Sequence, residues 1–454
     1  MKILFVYPST LASGNAVKFR KAFLPPLNLA ILDRLTEQAN PRHDVKIIND
    51  CVETIDFNMT CDLVGITAIT SQAMRAYQIA DRFRSKGTAV VLGGVHPSLL
   101  PQEAMNHADA VIVGEAENLW PEILSDAEAG RLKPLYTSDA RPDLDDLIIP
   151  KWDHFNLSIY RRAIGYRMPR MPLFTTRGCL HNCKYCSVSK FFGRKYRHKP
   201  VENVLKEIDA TGAESIFFAD DNIICNNDHA QQLFTTLKER KQKIRWMGQA
   251  DTKILKQPHL IELAAAAGCK SMIFGIESIN QENLADMKKR FNQPEQYIEL
   301  YKRCTCAGIK PWFSMIFGMD HDTLETMVET ADYLKKHRIW NVLFWILTPL
   351  PGTDLYNEMS SNKRIVNRDW SKYDCSNVVF KPSQITPDDL YANFWRIYQS
   401  FYTVPVMLQR LRDIYRNSKN PLKSAIQNIF YQMYFRKQIS ESHSPYSMGI
   451  SQVS

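Results

Sequence analysis

Three cysteines, Cys179, Cys183 and Cys186, stand in the spacing CxxxCxxC within the stretch Thr175-Thr176-Arg177-Gly178-Cys179-Leu180-His181-Asn182-Cys183-Lys184-Tyr185-Cys186. Cysteine thiolate is the usual ligand of iron–sulfur clusters, and three thiolates from one loop can hold three irons of a cubane. The fourth iron is then left open to a small molecule. A zinc site built on the same residues would want a fourth Cys or His. His181 lies between two of the ligands and is awkwardly placed to complete such a set. Spacing alone favours the open cluster over zinc or unpaired thiols. The other seven cysteines have no site-like spacing. Cys51, Cys61, Cys225, Cys269 and Cys375 read as small apolar core residues, and Cys304 and Cys306 diverge on an expected helix.

The elements that must position this loop alternate strand and helix. Strand-like runs at 2–7, 45–49, 63–66, 89–92 and 110–113 are separated by helical stretches that include 27–36 and 72–83. That alternation predicts a doubly wound parallel sheet, whose ligands bind outside the carboxyl ends of the strands. Three loops fall at those ends. They carry Thr67, Thr70 and Ser71; Gly93, Gly94 and His96; and Gly114, Glu115 and Glu117. Glycine there admits close approach of a flat or phosphate-bearing ligand, and hydroxyls at a helix start favour an anion. Helix capping by Thr70 or Ser71 and tight turns at the glycines explain the same residues equally well. Residues 136–170 mix prolines and acids without periodicity and read as a connector, with Trp152 and Tyr160 as its points of attachment.

From 171 the strand–helix pattern resumes. Strands are expected at 172–175, 215–219, 244–249, 271–275, 312–317 and 342–347, with helices at 201–210, 230–240, 260–267, 296–307 and 323–336. Six such units predict a parallel barrel or an open partial barrel with its chemistry at the carboxyl ends. The cysteine loop follows the first strand, Asp220 and Asp221 the second, Gln249 ends the third, and Glu277 and Ser278 end the fourth. A carboxylate such as Asp220 or Glu277 at that rim can bind ribose hydroxyls or an ammonium group; capping is the plainer use of Asp220 and Ser278.

The CxxxCxxC loop, with the aromatic Tyr185 just before its third cysteine, resembles the signature of the radical S-adenosylmethionine (SAM) enzymes. The chain ahead of it resembles a cobalamin-binding domain. Together they are similar to the cobalamin-dependent radical SAM class over about residues 1–400. The resemblance implies a Rossmann-like cobalamin-binding domain (1–135), a connector (136–170), a partial (β/α)6 TIM-type barrel (171–380) and a helical C-terminal region (381–454). It implies a 4Fe-4S cluster on Cys179, Cys183 and Cys186, whose open iron chelates SAM and reduces it to a 5′-deoxyadenosyl radical. Tyr185, Asp220, Asp221, Gln249, Glu277 and Ser278 would lie about SAM. The GGxH and GExE loops, with Thr67, Thr70 and Ser71, would hold cobalamin. The D-x-H-x-x-G pattern that supplies a lower axial histidine in many cobalamin proteins is missing here. His96 is therefore expected to structure its loop or touch the cofactor's edge, not to bind cobalt.

Composition bounds the rest. With 454 residues, 45% hydrophobic and 23% charged, two or three soluble-type domains are expected, and no run is apolar enough to span a bilayer. An oxygen-sensitive cluster and free thiols point to the cytoplasm. A net charge of +9 suits anionic cofactors without implying nucleic acid. Arg194 to Lys199 form a basic stretch just after the cluster loop, equally readable as an anion site or a solvated loop. Helices are expected at 387–398, 405–416 and 422–436, the last two basic and aromatic. Packing on the barrel is the commoner use of such helices, and contact with a membrane surface the other. A disordered tail is expected from Ser440. The expected function is C-methylation of an unactivated carbon in a small-molecule or lipid substrate, with a flavodoxin- or ferredoxin-like electron donor. Cyclisation or rearrangement with the same cofactors is the alternative, and a non-catalytic sensor the third.

Overall fold

A computed structural model describes residues 1–160, 168–417 and 421–440. The expected tail from Ser440 falls almost wholly outside them. The first six strands are β1 (Lys2–Tyr7), β2 (Asp44–Asn49), β3 (Leu63–Thr67), β4 (Ala89–Gly93), β5 (Ala110–Val113) and β6 (Leu135–Thr137). They form one parallel sheet in the order β2-β1-β3-β4-β5-β6. The inner strands are buried on both faces, as their unbroken Val/Ile/Leu runs require. Helices α1 (Leu27–Ala39), α2 (Ala73–Arg84) and α3 (Trp120–Glu128) cover the two faces. β6 falls at the junction with the expected connector. Only Tyr136 of its three residues is buried, which leaves no alternation to read.

The connector closes onto this domain. Tyr160 is buried and accepts a hydrogen bond from Asn49 Nδ2 at 3.2 Å, and His154 meets Asp33 of α1 at 2.9 Å.

A second parallel sheet follows in simple sequential order. Its strands are β7 (Met171–Leu173), β8 (Ser215–Phe218), β9 (Arg245–Ala250), β10 (Cys269–Glu277), β11 (Lys310–Phe317) and β12 (Val342–Ile346). β7 and β12 remain its edges, so the barrel is open. Helices α4 (Val201–Thr211), α5 (Asn227–Glu239), α6 (His259–Ala266), α7 (Tyr297–Cys306) and α8 (Leu324–Lys336) pack outside. The period of two along each strand separates two cores. Met272, Phe274 and Ile276 of β10 join the helix-side core, whereas Ile273 faces the bore with Phe217, Met247 and Leu343. That bore cluster is continuous with the core of the first domain through Phe174 and Trp120. The two sheets therefore meet face to face across one apolar body. Helices α9 (Pro387–Ser400), α10 (Val404–Asn417) and α11 (Pro421–Ser440) follow the barrel.

Candidate active site between two sheets

The cysteine loop leaves β7 over the mouth of the barrel. Its backbone is tied down by Lys184 N donating to Met287 O at 3.2 Å and by Leu355 N donating to Lys184 O at 2.9 Å. His181 binds Asp251, just past β9, at 2.6 Å, and its ring stacks on Phe291 at 4.1 Å. Asp251 also accepts from Asn222 Nδ2 at 2.9 Å. His181 thus anchors the loop and does not complete a ligand set. Burial, reinforced by the neighbouring Cys183, pushes the Cys186 thiol up to about 12; coordination would release that proton. Among the described residues no three His, Cys, Asp or Glu side chains are gathered closely enough for a single metal ion. Three thiols from one loop are a donor set suited to three irons of a cubane.

One further thiol lies here. Cys225, expected as a core residue, lies beside Cys179, which draws its thiol down. The loop after β8 carries Cys225 back past the cluster loop, a proximity that spacing along the chain cannot reveal.

The fourth strand builds the other side of the rim. At the end of β10 the register slips between Gly275 and Glu277, and Glu277 adopts φ 67°. A left-handed conformation in a non-glycine residue costs on the order of 1–3 kcal/mol. Asn292 supports it by donating to Gly275 O and Ile276 O, both at 2.8 Å. The strained turn aims Glu277 inward, where Oε1 meets Lys289 Nζ at 2.6 Å and accepts from Tyr185 OH at 3.0 Å. Oε2 accepts from Ser314 Oγ at 3.3 Å, and Ser314 in turn accepts from Trp345 Nε1 at 3.0 Å. A Cβ at Gly275 would stand 2.5 Å from Glu277 Oε1 and 2.7 Å from Lys289 Nζ, so only glycine leaves room for this pair. Lys289 and Ser314 carry no motif that would have singled them out beforehand.

The remaining barrel residues divide. Gln249 is half-buried beside the bore, and its amide has no partner among the described residues. Asp221 is pushed up to about 7, chiefly by burial and then by neighbouring Asp220. Both can face a ligand. Asp220 cannot. Its buried carboxylate accepts from Thr175 Oγ1 at 2.7 Å and Thr176 Oγ1 at 2.5 Å, bracing β8 against the start of the cluster loop. Ser278 accepts from Asn280 N at 3.0 Å and shapes a turn. Both oxygens have partners within the protein, which is the plainer use the sequence offered for these two.

Across the interface a mostly apolar pocket opens at the carboxyl ends of β3, β4 and β5. Its empty space is about 870 Å³ with the open mouth included, within the range of cofactor sites. Thr67, Gly93, Gly94, Gly114, Glu115 and Glu117 line it from the first domain, and Phe174, Arg177 and Phe192 from the barrel side. Gly94 has φ 95°, and a Cβ there would strike Thr67 Oγ1 and Ala68 N at 2.8 Å. The backbone can therefore close over a flat ligand only because this residue lacks a side chain. Thr70, Ser71 and His96 lie elsewhere. The chain turns away after Thr67, and the turn Thr70–Gln72 packs against Trp370–Lys372. His96 is fully buried, 3.1 Å from Tyr77 OH and edge-on to Trp370. No histidine lines the pocket among the described residues.

The two glutamates of the GExE loop meet the barrel directly. Arg177, two residues before Cys179, binds Glu115 at 2.7 Å and Glu117 at 2.5 Å. Arg197 and Arg141 bind Glu115 as well, at 2.6 and 3.3 Å. Burial alone would raise Glu117, but the Arg177 guanidinium holds it below the usual carboxylate range. The basic stretch is therefore partly consumed: Arg197 is in this clamp, and Lys199 is buried against Glu207 at 2.5 Å.

The radical SAM superfamily model matches residues 173–334, and the B12 binding domain model residues 17–124. The chain is 31% identical over 428 residues to the bacteriochlorophyllide d C-8(2)-methyltransferase of Chlorobaculum tepidum, covering 91% of this chain and 92% of that one. It belongs to the cobalamin-dependent radical SAM methyltransferases. The bacteriochlorophyllide d C-12(1)-methyltransferase of the same organism is 29% identical, over 85% of this chain and 84% of that one. The fold is shared with the radical SAM methyltransferase TsrM from Kitasatospora setae, with a TM-score of 0.61 at 19% identity over 80% of this chain and 78% of that one. The cofactors of this methyltransferase family member are a 4Fe-4S cluster, SAM and cobalamin, and the residues present fit all three. The cysteine loop offers the thiols, the Glu277–Lys289–Tyr185 group offers both signs of charge beside Cys183, and the glycine-lined pocket admits a flat ring.

Proposed function

We propose that the chain methylates a carbon of a planar, largely apolar acceptor, with a tetrapyrrole as the favoured class. The observation that carries this is the barrel bore. There the half-buried Trp312 and Trp345 pack against Leu343, Met247 and Phe174, in the apolar cluster that runs from the bore into the first domain; of these Phe174 also lines the pocket. Flat rings are well received by aromatic faces. The two bacteriochlorophyllide d methyltransferases named above support the same class.

Bound together, the cofactors would supply the electron, the hydrogen-abstracting radical and the methyl group. The chain's own residues do the rest. The buried Glu277–Lys289 pair orients a polar cofactor at the rim, and the apolar bore excludes water from a reactive carbon. The clamp of Arg177 on Glu115 and Glu117 fixes the separation of the two cofactor loops. A flavodoxin- or ferredoxin-like protein serves as the electron donor.

The test is anaerobic. Protein reconstituted with iron, sulfide and cobalamin is given SAM, reductant and bacteriochlorophyllide d. The expected result is a product heavier by one methylene unit, with 5′-deoxyadenosine and S-adenosylhomocysteine both formed. Deoxyadenosine without S-adenosylhomocysteine would replace this reading with cyclisation or rearrangement. Both by-products without a methylated tetrapyrrole would overturn the acceptor class alone.

A further inference from the structure

Helices α10 and α11 each have one side turned to the protein and one turned away from it. One side is accounted for. Phe435 and Ile439 of α11 are buried, with Phe435 stacked on Tyr402 at 5.5 Å. On α10, Arg410 lies over the Tyr402 ring at 4.7 Å, and Asp413 accepts from Trp340 Nε1 at 2.9 Å. The other side is open. Val404, Leu408 and Tyr415 lie at i, i+4 and i+11 of α10 and are 52%, 61% and 68% exposed. On α11, Leu422, Ile426, Ile429 and Met433 lie at i, i+4, i+7 and i+11, with Phe430 beside them; Leu422 is 73% and Phe430 67% exposed. These spacings put each set on one helix face.

Single exposed apolar residues are ordinary, but eight on two adjoining helices are a surface that wants a partner. Charge identifies it. Residues 403–454 hold seven Lys and Arg against two acids. One of those acids, Asp413, is already paired with Arg338. Arg412 and Arg436 are exposed close to the two stripes. A second copy would bring like charges together across such a face. An anionic bilayer satisfies both the stripe and the arginines.

We propose that α10 and α11 dock the enzyme on the surface of an anionic membrane, with the Leu422–Met433 stripe entering the headgroup boundary. No described helix is long and apolar enough to cross a membrane, so the contact is peripheral. It rests on this surface alone and not on the acceptor assigned above.

The test sediments the reconstituted full-length protein with vesicles of phosphatidylcholine alone, or mixed equally with phosphatidylglycerol. Binding to the mixed vesicles is expected, weakened by salt and much reduced with phosphatidylcholine alone. The variant Leu422→Glu/Phe430→Glu/Met433→Glu should lose binding while keeping its thermal midpoint, since all three side chains are exposed. Arg412→Glu/Arg436→Glu should weaken binding to mixed vesicles by more than about tenfold. No binding to either vesicle, or binding indifferent to the triple variant, overturns the proposal. So does a concentration-dependent dimer that the triple variant abolishes, which would assign the face to a second copy.

Discussion

At the scale of single residues, the environment of the cysteine loop separates ligand from neighbour. Cys225 lies beside Cys179 but outside the CxxxCxxC motif and on another loop. Cys225→Ala should therefore keep the iron content and 5′-deoxyadenosine formation of the parent, whereas Cys183→Ala should abolish both. Loss of iron in the Cys225 variant would mean that the cluster has four protein ligands and no open iron. Another residue, His229, makes a pH prediction. It is 4% exposed, its Nε2 has no partner among the described residues, and it stacks on His198 at 4.5 Å. Burial, aided by His198, lowers it from 6.5 to about 4. Between those values the unfolded chain holds a proton that the folded chain refuses, so stability is lost as pH falls through that window. From pH 7 to pH 5 the loss from this group is about 2 kcal/mol. Urea denaturation of His229→Leu should show a correspondingly shallower fall than the parent; parallel curves would reject the assignment.

Between elements, the informative contact joins the loop after β5 to the segment that enters the cysteine loop. Arg177 bridges Glu115 and Glu117 with its two terminal nitrogens, a planar fork that lysine cannot reproduce. Arg177, Glu115 and Glu117 are ion-paired with one another, an arrangement that aligns two loops. Glu117→Gln should leave 5′-deoxyadenosine formation nearly intact while methylated product falls by about tenfold, the size of one lost charge-assisted contact. The ratio of the two products is the readout. If both fell by the same factor, the clamp would be no more than a stabilising ion pair.

On the scale of the whole molecule, a second set of contacts ties the first domain to the segment beyond the barrel. Trp370, beyond the barrel, donates to Glu103 Oε1 at 2.8 Å and meets the buried His96 edge-on at 5.3 Å. The barrel's last loop reaches the same side, where Gly352 lies against Leu99. Together with the clamp, these contacts tie the two domains to each other. Trp370→Ala removes a 7% exposed indole and should cost about 3–5 kcal/mol. It should also speed the loss of cobalamin on gel filtration. A lowered melting temperature with unchanged cobalamin retention would confine Trp370 to ordinary packing.

What the sequence by itself determined was whatever is local. Ligand spacing in the cysteine loop needs only neighbouring residues. The alternation of apolar strands with amphipathic helices follows from periods of 2 and 3.6, which is why both sheets were legible. β6 escaped because three residues with one buried side chain carry no period. Tertiary structure decided which side chains had anything left to offer. Asp220 and Ser278 look like ligands in the sequence, and the fold gives them partners of their own in Thr175, Thr176 and Asn280. His96 sits in a cofactor-like loop, yet its ring faces Tyr77 and Trp370. Lys289, Arg177 and Cys225 acquire their places only when loops dozens of residues apart converge. A residue's type states what it can bond, and only the folded chain states whether that bond is already made.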